Sequence, residues 1–195
     1  MAGAEDANPR TLEAAETIGR ILEELGAPCA LIGAAALAVY GYARATEDLD
    51  LAVATDPFST LARAREQILK ALTCDAELNP PDAQDPLGGV LTITADDFDP
   101  IQIVNFINPL SPVNNPGPDA IAKSLPGLVE GSSLRVVDLP HLIALKLYAG
   151  GPKSRLDVME LLARNPALPR SEVAVVCERF GLKDDWERLI SELRD

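Results

Sequence analysis

The sequence predicts an α+β fold, α/β-like in its first half, in which a mixed sheet carries an appended C-terminal helical bundle. Three observations predict it. A short apolar run, Cys29-Ala-Leu-Ile32, breaks at Gly33 and passes at once into an alanine-rich stretch, the pattern of a buried strand feeding a helix. Segments alternating polar with apolar residues then recur at 48–54, 89–94 and 101–107, which is the period of strands with one face buried. From Pro140 onward the periodicity is helical throughout. Strands early and helices late, with a hairpin-like pair between them, give a mixed sheet rather than a doubly wound parallel one. The same shift divides the chain into an α/β domain over 1–133 and a strand with a helical region over 134–195 packed on it.

Asn8-Pro9 reads as a helix N-cap followed by proline at the first helical position. Leu12, Ala15, Ile18, Leu22 and Leu25 follow at helical spacing, and Gly26 stands where a C-terminal cap belongs. Pro28 bars continuation, and the strand at 29–32 follows. Residues 34–40 form a second helix closed by Gly41, and a third runs from Pro57 to about Leu72. The prolines of 79–88 make that segment a loop. Residues 95–100 connect a hairpin, and 108–118, rich in proline and asparagine, form a long irregular connection before a short helix at 119–125. A last strand is expected at 134–138, then helices at 140–149, 154–164, 171–180 and 184–194. In that tail Val173, Val176, Phe180, Trp186, Ile190 and Leu193 are spaced for packing into a core or onto a partner.

Composition narrows the function. The chain has 195 residues, 47% of them apolar and 24% charged, as in ordinary globular proteins. It has no apolar run of the roughly 18–20 residues needed to cross a bilayer. Its start, Met1-Ala-Gly-Ala-Glu-Asp6, lacks the basic and apolar regions of a secretory signal. The three cysteines, Cys29, Cys74 and Cys177, are scattered and odd in number, which reads as free thiols in a reducing cytoplasm. A net charge of −13 opposes binding of a long nucleic acid. The weak basic groupings, Arg63 with Arg65 and Lys146 with Lys153 and Arg155, do not make a basic stripe, but they leave room for a small RNA end.

The chemistry lies in residues 31–51. A helix N-terminus exposes unpaired N–H groups and a partial positive charge, which suits phosphate. The Gly33-Ala34 junction lets a ligand approach the backbone. Fifteen residues on, Asp48 and Asp50 sit two apart on a strand and so point to one face. Two carboxylates on one face repel unless a cation lies between them. A hard divalent cation shared with phosphate oxygens removes that cost.

These motifs resemble the nucleotidyltransferase superfamily of the DNA polymerase β type, and more closely its AbiEii-type toxin branch. The residues carrying the resemblance are Gly33-Ala34, Gly41, Arg44, Thr46 and Asp48-Leu-Asp50, together with a second block over 138–157 containing Leu142-Ile-Ala-Leu-Lys146, Lys153 and Asp157. It implies a nucleotidyltransferase core that moves a nucleoside monophosphate from a nucleoside triphosphate to a hydroxyl acceptor, with Mg2+ (or Mn2+) held by Asp48 and Asp50. It further implies nucleotide contacts from Gly33, Ala34, Arg44, Thr46, Lys146 and Lys153, an RNA or protein acceptor, and an antitoxin protein as partner. Two departures stand out. Ala34 replaces a serine, and the later strand that bears a third acid in this superfamily offers Asn105, whose amide can ligate a metal but cannot act as a base. Asp97 and Asp99, in the turn before that strand, are the nearest carboxylates. The alternative is a nucleotide-binding or regulatory module on the same fold, its third acid lost. His141, the only histidine, follows Pro140 and reads as a capping or partly buried residue, while Lys153 and Asp157 are spaced as a surface ion pair.

Overall fold

Asn8 accepts a hydrogen bond from the Arg10 N–H at 3.0 Å, and Pro9 opens α1 (Pro9–Glu24), whose buried stripe includes Ile18, Ile21 and Leu22. The computed structural model describes residues 8–193, so the first six residues, read above as no secretory signal, lie outside the described residues. Then come β1 (Cys29–Leu31), α2 (Gly33–Val39), β2 (Leu49–Val53), α3 (Thr60–Ala71), β3 (Asp75–Asn79), β4 (Val90–Thr94), β5 (Ile101–Asn105) and α4 (Gly117–Ala122). The chain continues through α5 (Leu139–Ala149), α6 (Gly151–Arg164), α7 (Arg170–Arg179) and α8 (Lys183–Glu192).

The sheet is mixed, as expected, in the order β1-β2-β5-β4-β3. Only β2 and β5 run parallel; the other neighbours are antiparallel. The parallel pair sets Asp50 directly opposite Gln102 and Val53 opposite Asn105. Leu51, Leu91, Ile93, Ile101 and Ile103 are fully buried in one core with Ile18, Leu22, Leu61 and Ile68 of α1 and α3. The helix α5 packs on α6 and α7, and α7 on α8, forming the C-terminal helical group. Val173, Trp186 and Leu189 are buried there.

Three local expectations need correction. The segment 75–79, not read as a strand, is edge strand β3, whose Asp75, Glu77 and Asn79 are exposed. Charged residues on an edge discourage pairing with another chain. The strand expected at 134–138 is reduced to bridges: Leu31 donates its N–H to Arg135 O at 2.7 Å, and Val136 exchanges hydrogen bonds with Leu125. The third helix starts at Thr60 rather than Pro57, because Asp56 accepts from the Phe58 N–H at 3.0 Å and from the Ser59 hydroxyl, which holds 57–59 in a turn.

Asn105 does not stand with Asp48 and Asp50. Strand residues an odd number apart point to opposite faces. Gln102 shares the face of Asp50, so Asn105, three residues on, is on the other side. Its side chain is fully buried and works as a clamp. The amide nitrogen donates to Thr55 O (2.9 Å), Gly88 O (3.2 Å) and Ile107 O (3.2 Å), and Oδ1 accepts from the N–H groups of Thr55 and Ile107. Gly88 permits this, since a Cβ there would overlap Ile107 O. Asn105→Asp would set a carboxylate against three carbonyl oxygens. We expect a loss of about 3 kcal/mol, read as a fall in Tm of roughly 6–12 °C for a chain this long. An unchanged Tm would refute the clamp.

Candidate active site

At the end of β1 the chain is extended at Ile32 and turns at Gly33 (φ 59°) to begin α2. A left-handed φ favours glycine, and here space demands it as well, because a Cβ on Gly33 would overlap Asp50 Oδ2. The Ile32 N–H donates to Asp50 O at 3.0 Å, joining β1 to β2 at this level. The Asp50 carboxylate therefore lies against the first residue of α2.

Asp48 is held at both oxygens. The Thr46 hydroxyl donates to Oδ1 at 2.7 Å, and Gln102 Nε2 donates to Oδ2 at 2.8 Å. Asp50 is in a harsher setting. Burial pushes its carboxyl up to about 6, the Asp48 charge pushes the same way, and Lys146 and Arg44 oppose both.

The two basic groups share one counterion. Lys146 Nζ lies 2.8 Å from Asp157 Oδ2, and Arg44 Nη1 lies 3.9 Å from Asp157 Oδ1. Only 2% of the Asp157 side chain is exposed. Arg44 Nε and Nη1 and Asp157 Oδ1 are buried without a hydrogen-bond partner among the described residues. Lys153, spaced to pair with Asp157 and implied by the resemblance as a nucleotide contact, is exposed on the first turn of α6 and has no ion pair among the described residues. A tertiary contact has displaced the helical i,i+4 pair.

A cleft of about 490 Å3 opens beside Asp48, floored by Ala34, Ala35 and Ala38 of α2 and walled by Arg44, Thr46 and Asp99. Asp99 is anchored by Thr11, whose hydroxyl donates to Asp99 Oδ2 and accepts from the Asp99 N–H, both at 2.9 Å. Asp97 lies outside this cleft, exposed and 3.9 Å from Arg10. Lys146 also borders a second hollow of about 370 Å3 with Arg155 and Arg188. His141 is buried, and Asp138 accepts from both its backbone N–H (2.9 Å) and its Nδ1 (2.6 Å), which is the capping arrangement.

The structure thus gathers Gly33, Ala34, Arg44, Thr46, Asp48, Asp50 and Lys146, and leaves out Asn105 and Lys153. It adds Gln102, which the sequence reading did not single out, and it gives Asp157, quoted there in the second matching block and as half of a possible surface pair, a tertiary partner in Lys146. Register is the signal that would have found Gln102.

The family model described as nucleotidyl transferase AbiEii toxin, type IV TA system, matches residues 20–185. The chain belongs to this family. No curated protein matches its sequence. Among solved structures, the solution structure of the antibiotic-resistance factor ANT(2'')-Ia is similar with a TM-score of 0.55 at 14% identity, covering 96% of this chain and 98% of that one. A crystal structure of ANT(2'')-Ia with adenylyl-2''-tobramycin gives 0.52 at 14%, covering 91% and 99%. An antigenic nucleotidyltransferase-like protein from Paracoccidioides brasiliensis gives 0.53 at 15%, covering 95% and 94%. At these identities the likeness is one of fold, and it agrees with the nucleotidyltransferase core and helical appendage read from the sequence. Among the described residues no helix is long and apolar enough to cross a membrane.

The raised carboxyl makes a prediction about pH. Asp50 binds its proton more tightly in the folded chain than in the unfolded one. Folding stability therefore falls as pH rises from the usual carboxylate value of 3.8 through about 6. Asp50→Asn removes the charge. In metal-free buffer the variant should be more stable than wild type at pH 7.5, by up to about 3 kcal/mol, with the gain shrinking towards pH 4. Equal Tm values at both pH values would show that Asp50 is not desolvated.

Proposed function

We propose that this AbiEii-family chain transfers a nucleoside monophosphate from a nucleoside triphosphate to a hydroxyl acceptor, with Mg2+ (or Mn2+) bound by Asp48 and Asp50. The observation carrying this reading is the buried Asp50 carboxylate of β2, set against the start of α2, with the Asp48 carboxylate just before the strand beside it. Among the described residues no three His, Cys, Asp or Glu side chains gather to hold a metal unaided. A pair of carboxylates fits a cation whose remaining ligands are phosphate oxygens and water, and a cation there would relieve the burial and repulsion that raise Asp50. When bound, the cation would neutralise charge on the transferring phosphate.

The chain's own residues supply the rest. Thr46 and Gln102 hold Asp48 with both oxygens oriented. The first turn of α2, at Gly33 and Ala34, would turn backbone N–H groups towards phosphate oxygens. Arg44 and Lys146 balance the triphosphate charge, with Asp157 fixing Lys146. ANT(2'')-Ia has been seen with adenylyl-2''-tobramycin, and its shared fold supports the same type of reaction here, not the same acceptor. We place the acceptor among RNA ends and protein hydroxyls, the partner as an antitoxin protein, and the site of action in the cytoplasm, in keeping with the free Cys29, Cys74 and Cys177.

A second reading, nucleotide binding without turnover, is favoured by one observation: the residue level with Asp50 on β5 is the amide Gln102 rather than an acid. Incubation with each α-labelled nucleoside triphosphate, Mg2+, total RNA and a protein extract separates the two. Transfer of label supports the first reading. A rise in Tm with Mg2+ and triphosphate but no transfer supports the second. The double variant Asp48→Asn with Asp50→Asn should lose both effects. If it keeps either, the nucleotide binds elsewhere.

A further inference from the structure

Gln102 is intermediate in exposure and stands next to the Asp48 end of the parallel β2–β5 pair. Its direct partner is Asp50, so both side chains leave the sheet on the same side. A carboxylate at this position would stand beside Asp48 and Asp50 together. The amide instead turns its nitrogen to Asp48 Oδ2 at 2.8 Å, while Thr46 takes Oδ1 at 2.7 Å. A carboxylate oxygen has two lone-pair sites, so each Asp48 oxygen keeps one for another ligand while the plane of the group is fixed from both ends.

We propose that Gln102 is a positioning residue that fixes Asp48 for cation binding and, by adding no charge, limits the carboxylate pair to one divalent cation. This rests on the metal-binding reading of Asp48 and Asp50 given above. Two carboxylates balance one divalent cation. A second cation would face the first without a counter-charge, with Lys146 and Arg44 already acting on Asp50. Residues that orient a metal ligand typically change metal affinity by tenfold or more when removed.

The test is titration of the metal-free protein with Mn2+ alone into the millimolar range, counting bound ions by the loss of the free Mn2+ paramagnetic resonance signal. Wild type should bind one Mn2+ and Asp50→Asn none. Gln102→Leu, which keeps the bulk and removes the donor, should bind one Mn2+ about tenfold more weakly with an unchanged circular dichroism spectrum. Gln102→Glu should melt lower than wild type without metal, through repulsion, and should bind Mn2+ at least about tenfold more tightly or take up a second ion. Should Gln102→Leu not fold, Gln102→Glu still decides. Wild-type affinity in Gln102→Leu, or unchanged Mn2+ binding in Gln102→Glu, overturns the role of Gln102 while leaving the metal site standing. Two ions in wild type overturn the limit. A wild type that binds none overturns the metal reading itself, and this inference with it.

Discussion

Asp50 presses a carboxylate into the turn between β1 and α2, two residues from another carboxylate on the same strand face, and the surrounding sequence is organised around that constraint. Gly33 has no side chain because Asp50 Oδ2 fills the place of its Cβ. The antiparallel link between β1 and β2 fixes the level at which the two meet, through the hydrogen bond from Ile32 N–H to Asp50 O. Burial of a charge costs several kcal/mol unless it is paired or neutralised. Here the pairing is remote and incomplete, which is why the Asp50 carboxyl rises instead of falling. An arrangement that tolerates such a cost in the folded chain is the kind found at ligand-binding and catalytic sites.

The cations opposite Asp50 are not free either. Lys146 is tied to Asp157, and Arg44 lies at the edge of ion-pair range of the same carboxylate. Three carboxylates against two cations leave the cluster with one excess negative charge, and a divalent cation would reverse its sign. The orphaned atoms show where further bonds would be gained. Among the described residues Arg44 has two buried nitrogens without partners, and a buried donor left unpaired costs about 1–3 kcal/mol. Arg44 also lines the cleft beside Asp48.

How much of this could be read from the sequence follows from which distances along the chain matter. The caps of α1, the Gly33 turn and the common face of Asp48 and Asp50 are local, and propensity and period sufficed for them. The strand β3 was not legible, because Asp75, Glu77 and Asn79 are poor strand formers and only pairing with β4 makes the segment extended. Asn105 and Gln102 illustrate a different limit. Alternation along 101–107 tells which residues share a face but not which face meets β2, nor at what offset. Choosing a polar residue by its place in the strand found the buried clamp instead of the residue beside the carboxylates. Asp157 meets a similar limit: a partner four residues away in the helix was visible, and Lys146 on another helix was not.

Charge on the surface and charge in the cleft together restrict the ligand. The net charge of −13 repels extended polyanions over most of the molecule. Of the basic groups near Lys146, Arg155 is paired with Glu192, and Arg188 lies 3.6 Å from Asp185, so their fields are locally cancelled. Inside the fold, Lys146 and Arg44 face Asp157 and act on Asp50, and this buried cluster carries one excess negative charge. A long nucleic acid would have to cross the acidic surface to reach it. A compact anion carrying its own divalent cation meets little net repulsion on approach, and its cation is drawn by the same carboxylates that would exclude it bare.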